Sequence, residues 1–129
     1  MPAALVVRAA DGGDLTWVLM AANGRPLARS AGAYRSDEAL TAAWRELVAD
    51  RADLSIRLSR DGPGPDWWWT ATLPARSTGR VGRVGRLGRV GAAGLVVARS
   101  ARGYLRPDQC RGGASGFVSA LAGFARRVR

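Results

Sequence analysis

The sequence predicts an α+β fold in which two tandem β3α repeats share one antiparallel sheet with two helices packed on it. Three observations carry that expectation. Leu27-Ala28-Arg29-Ser30-Ala31-Gly32-Ala33-Tyr34 recurs at an offset of 70 as Val97-Ala98-Arg99-Ser100-Ala101-Arg102-Gly103-Tyr104, with Ala-Arg-Ser-Ala and the Tyr identical. A Trp-led run alternating with period two precedes each copy, which is the pattern of a half-buried strand. A helical apolar stripe follows each. The expected layout is a single domain over 1–129, with repeat one at 3–52 and repeat two at 53–129.

In the first repeat, Leu5-Val6-Val7-Arg8 reads as a strand, and Asp11-Gly12-Gly13-Asp14 supplies turn chemistry. Leu15, Trp17, Leu19 and Ala21 then share one face of a second strand, opposed by Thr16, Val18 and Met20. Asn23-Gly24 signals a hairpin into the third strand, which begins at Leu27. Ser36 is placed to cap a helix, with Asp37 and Glu38 in the first turn where carboxylates suit the dipole. Leu40, Ala43, Trp44 and Leu47 form its buried stripe.

The second repeat starts with Leu54-Ser55-Ile56-Arg57 and the turn Asp61-Gly62-Pro63-Gly64-Pro65. Trp67, Trp69, Ala71 and Leu73 then share a strand face, opposed by Trp68, Thr70 and Thr72. A third strand opens at Gly94. Pro107 suits the first helical position, and Cys110, Gly113, Ala114 and Phe117 align with the first stripe, extended by Leu121, Phe124 and Val128. Gly112, Gly113 and Gly116 each cost about 1 kcal/mol relative to Ala inside a helix, which predicts that this helix begins late or frays.

The repeats diverge between their second and third strands. Where the first has a short turn, the second has residues 75–93, read as a disordered Arg/Gly-rich loop with Gly at every third position from Gly79 to Gly91. Collagen needs proline and three long chains, so that reading fails. Lengthening a flexible closure from 4 to 19 residues costs roughly 1.4 kcal/mol, which a paired sheet tolerates. Slippage during replication is the structural account of the loop. The functional account is a comb of Arg76, Arg80, Arg83, Arg86 and Arg89 that tracks phosphates without reading sequence.

Charge points the same way. All 20 basic residues are Arg, a usage that also fits a GC-rich genome. Residues 1–74 hold 8 Arg against 9 acids, whereas 75–129 hold 12 Arg against Asp108 alone. Such asymmetry marks a possible polyanion-binding face. There is no His, so the usual neutral-pH proton shuttle and the commonest metal ligand are missing.

The other candidates have ready structural accounts. Alternation puts Trp68 opposite Trp67 and Trp69, so if only one sheet face is covered, Trp68 is a possible exposed stacking residue. Core or edge packing is the competing account. Cys110 aligns with Leu40 and reads as a small core residue, and the paired Asp residues near 11 and 61 stabilise turns. Arg29 and Arg99 with Ser30 and Ser100 occupy matching positions, which reflects shared architecture or two equivalent anion contacts. No catalytic residue, cofactor site or metal site is expected.

The Trp strand, the Asn-Gly turn, the small-residue strand ending in Tyr and the following helix together resemble the YegP-like family of small bacterial and archaeal proteins of unknown function. The residues involved are Trp17 to Gly24, Leu27 to Ser30, Tyr34 and the helix after Ser36, then Trp69 to Leu73, Val97 to Ser100, Tyr104 and Cys110. That resemblance implies tandem β3α units in one antiparallel sheet, and it brings no activity, substrate or catalytic residue. The longest charge-free stretch, Gly112 to Ala125, has 14 residues against the roughly 20 of a membrane span. One cysteine and no signal-peptide pattern at Met1 to Arg8 suggest a cytoplasmic protein. The functional expectation is a non-enzymatic binding or accessory module, monomeric or homodimeric. The alternative is nonspecific nucleic-acid binding through the Arg-rich loop and the basic C-terminal half.

Overall fold

Period-two alternation becomes strand and period 3.6 becomes helix, in the expected order. The first half contains β1 (Ala4–Ala9), β2 (Leu15–Met20), β3 (Pro26–Ser30) and helix α1 (Asp37–Ala49). The second contains β4 (Ser55–Ser59), β5 (Trp68–Leu73), a two-residue β6 (Val90–Gly91), β7 (Gly94–Ser100) and helix α2 (Pro107–Val128). The computed structural model describes residues 3–60, 62, 64–74, 90, 91 and 94–128.

All pairings are antiparallel, in the order β1-β2-β3-β7-β5-β4. The halves meet at β3 and β7, where Ala28 faces Ser100, Arg29 faces Arg99 and Ser30 faces Ala98. Under the offset of 70 this register maps onto itself, with Arg29 and Arg99 at its centre. Register shifts occur at Leu19/Met20 against β3 and at Ala71/Thr72 against β7, leaving Leu27 and Val97 as the extra residues of matching bulges. Pairing also corrects the alignment of the first strands. Leu5 opposes Leu19 and Ile56 opposes Ala71, so Leu5 corresponds to Ile56 and not to Leu54.

Both helices cover one sheet face. Trp17, Leu19, Ala28, Trp69, Ala71 and Ala98 are buried with Leu40, Leu47, Phe117 and Leu121 in one core. Indole edges organise it: Trp17 meets Trp44 at 5.0 Å, Trp44 meets Phe124 at 5.2 Å, and Trp69 stacks on Phe117 at 5.0 Å. Ser36 caps α1 as expected, its Oγ accepting from the Ala39 amide at 3.1 Å.

One expectation requires correction. The second helix does not begin late: it starts at Pro107 and runs 22 residues, against 13 for α1. Of its glycines Gly113 sits where space is short, whereas Gly112 has open space beside it and Gly116 only ordinary contacts. A Cβ at Gly113 would collide with the Tyr104 hydroxyl, and one at Gly116 would lie 3.5 Å from Leu27. Close packing at Gly113 offsets the helix-propensity cost there. Within the loop expected over 75–93, Val90 and Gly91 pair with Leu95 and Gly94. Leu95 pairs with Leu73 on its other side, so β6 extends the sheet edge that β3 occupies farther along β7. The rest of that loop lies outside the described residues.

Candidate functional site

The helices leave the other sheet face uncovered. Strand alternation assigns residues to it: Trp17 and Leu19 point into the core, so Thr16 and Val18 point away. Following the pairing register across the sheet gives one row on this face, Val6, Val18, Arg29, Arg99, Thr70 and Arg57. Arg8 lies opposite Thr16 in the neighbouring row. Among the described residues the strands carry four arginines, Arg8, Arg29, Arg57 and Arg99, all exposed and all on this face, and no Asp or Glu. Desolvation explains why none of the arginines points inward. It does not explain why every strand charge has the same sign.

Arg29 and Arg99 are the central pair. Directly opposed residues in an antiparallel sheet hold their Cβ atoms about 4.5–5.5 Å apart, and like charges in that relation are destabilising. Beside them a groove of about 340 Å³ is lined by Arg8, Thr16, Arg29, Ser30, Gly32 and Arg99, with Val18 and Ala31 completing the wall. Ser30 fixes the rim: its Oγ accepts from the Trp17 amide at 3.3 Å and donates to the Gly32 carbonyl at 2.8 Å.

The second half repeats the scaffold. Ser100 Oγ accepts from the Trp69 amide at 3.3 Å. Leu15 and Tyr34 exchange two backbone hydrogen bonds at 2.7 Å, and Trp67 and Tyr104 do the same at 2.7 and 2.8 Å. The register makes Trp68 the counterpart of Thr16, since Thr16 opposes Arg8 and Trp68 opposes Ser59. Trp68 does point away from the helices, but it is half-buried. Gly62 lies against its indole, so close that a Cβ there would sit 2.7 Å from Nε1. That nitrogen is buried and has no hydrogen-bond partner among the described residues. A ring packed in this way offers less surface for stacking than the sequence suggested.

Arg76, Arg80, Arg83, Arg86 and Arg89 lie outside the described residues. Cys110 is fully buried on the inner side of α2, where burial pushes its thiol pKa up and away from reactivity. Tyr34 is buried and its pKa is pushed up to about 12 by desolvation, against an opposing interaction with the Trp17 indole. Burial also raises Tyr104, opposed by the Arg102 guanidinium over its ring at 4.8 Å. Neither Tyr is tuned to exchange protons near neutrality. A second groove of about 370 Å³ at the Asn23–Gly24 turn includes Arg25, Arg102 and Tyr104. Among the described residues no group of three or more His, Cys, Asp or Glu could hold a metal, and no helix is long and apolar enough to cross a membrane.

Sequence reasoning paired Arg29 with Arg99 by repeat position but passed over Arg8 and Arg57. The signal was available for Arg57, which alternates with the core-packed Ile56 and Leu58, but not for Arg8, whose neighbours Val7 and Ala9 are themselves exposed. What alternation cannot provide is the cross-sheet register that puts Arg57 in the same row as the central pair.

No family model matches the chain, and no curated protein matches it. Its fold is that of YegP from E. coli, a protein of unknown function solved by NMR, with a TM-score of 0.57 at 14% identity over 95% of this chain and 88% of that one.

Proposed function

We propose that this chain, having a YegP-like fold with one sheet face left open, is a small non-enzymatic binding module, cytoplasmic, whose ligands are polyanions. In this reading 1–129 is one domain built from a duplicated β3α unit, with the open face as its binding surface. The observation that carries it is that the four arginines of the described strands all lie on the uncovered face, with no Asp or Glu among the described strand residues. Arginine forks match phosphate oxygens in pairs and stay ionised at any physiological pH. The matching backbone anchors at Ser30 and Ser100, and at Tyr34 and Tyr104, support the duplication.

Nonspecific nucleic-acid binding is the form of this activity that the charge distribution favours, with the arginines of residues 76–89 adding to the positive charge of the chain. Phosphate contacts position a strand without reading bases, and the groove holds no aromatic ring for a base to stack on. The test is a titration against single-stranded RNA and DNA at several salt concentrations. Four arginines on phosphates give a slope of log K against log salt of about −3. A chain lacking residues 76–91 keeps that slope if the sheet face carries the binding and loses it if the loop does. Binding that ignores salt overturns the reading.

A further inference from the structure

We infer that the groove beside the Arg29–Arg99 pair is a discrete site for one phosphate group, formed where the two halves join and lined from the first half by Arg8 and Thr16. This rests on the reading of the uncovered face as anion-binding, and adds a specific site and ligand class to it.

Three arginines line the groove: Arg29 and Arg99 from the central strands, and Arg8 from β1. A carboxylate offers two oxygens, so it satisfies one arginine fork. A phosphate offers more oxygens and up to two charges, which suits three donors around one centre. Thr16 adds a hydroxyl to the wall, and the Ser30–Gly32 hydrogen bond holds the rim in place before any ligand arrives. At about 340 Å³ the space falls at the lower end of small-molecule sites, large enough for a phosphate and part of a sugar.

The equivalent positions of the second half are filled differently. The position of Thr16 is taken in the second half by Trp68, packed under Gly62, and the position of Arg8 is taken by Ser59. The bulky ring and the missing charge make that side a wall.

The experiment follows backbone amide shifts by NMR while the full chain is titrated with inorganic phosphate, adenosine 5′-monophosphate and a short single-stranded RNA. Phosphate is expected to produce a saturable shift at Thr16, Arg29, Ala31, Gly32 and Arg99. Arg29→Gln with Arg99→Gln is expected to weaken it at least tenfold without lowering the thermal midpoint. Arg45→Gln with Arg111→Gln, which removes equal charge from exposed helix positions, is expected to leave it unchanged. Thr16→Trp fills the groove without touching any charge and is expected to abolish the phosphate shift. If adenosine 5′-monophosphate binds much tighter than phosphate, the source is a nucleotide, and equal affinities assign the phosphate group alone. Equal losses in the two double variants, or no saturable shift at these residues, overturn the inference. RNA binding with the expected salt slope but no phosphate shift would sink the groove while leaving the polyanion reading intact.

Discussion

The two halves of the sheet share their backbone anchors and differ in how they fill space. In each, a Ser hydroxyl on the third strand accepts from the amide of the buried Trp, and a Tyr closes the strand before the helix. The fill is redistributed. The first helix carries Trp44 and Leu47 where the second carries Ala114 and Phe117, so Trp17 meets an indole edge while Trp69 stacks on a phenyl ring. On the open side, Thr16 stands where the other half has Trp68. Polar anchors impose angle as well as distance and leave little choice of residue. Apolar volume can move between neighbouring positions provided the total is kept.

The largest test of that comparison removes the anchoring rings. Trp17→Ala and Trp69→Ala should each cost about 3–5 kcal/mol. Both variants should unfold in urea as one transition, because β3 and β7 join the halves in one sheet. A variant that unfolds in two steps would show that one half survives alone. Next in size is alkaline pH. Tyr34 stays neutral in the fold up to about 12, whereas in the unfolded chain it ionises near 10. The unfolded state therefore loses its proton first, and stability falls as pH rises from 10 through 12, by about 2–3 kcal/mol at the end of that range. Tyr34→Phe should flatten this part of the stability–pH curve, and Tyr104→Phe should flatten it less, because that ring is only half-buried.

Ser30→Ala and Ser100→Ala give a smaller effect that should be equal in the two halves. Each leaves a buried Trp amide without its acceptor, at about 1–3 kcal/mol. Denaturation midpoints that differ widely between the two would break the equivalence of the anchors. The smallest effect is a reciprocal exchange at one helix position. Ala43→Gly should cost about 1 kcal/mol of helix propensity. Gly113→Ala should not return that gain, because the added methyl meets the Tyr104 hydroxyl. A Gly113→Ala chain with a raised thermal midpoint would show that Tyr104 gives way freely.

Much of the fold was legible beforehand because burial alternates with period two in strands and near four in helices. Trp17 and Leu19, Trp69 and Ala71, and Leu40 and Leu47 declare their faces by spacing alone, and Ser36 declares its cap. The helix that starts at Pro107 was harder to read. Local propensity penalises Gly112, Gly113 and Gly116, and only the approach of Tyr104 shows why glycine is suited to one of those positions, Gly113. Trp68 was legible in direction but not in environment, since the Gly62 turn that covers its ring is adjacent in space through a loop whose course spacing does not specify.

The candidate site divides along the same line. The sequence by itself determined that Arg29 and Arg99 occupy matching places and that each points away from a core-facing neighbour, because alternation is a local property of extended chain. Only the tertiary structure decided that they face each other, with Arg8 on the same groove and Arg57 in the same row. Those relations depend on which strands become neighbours and in what register. That choice is set by how two helices and a shared sheet bury apolar area together, a sum over the whole chain that no short window contains.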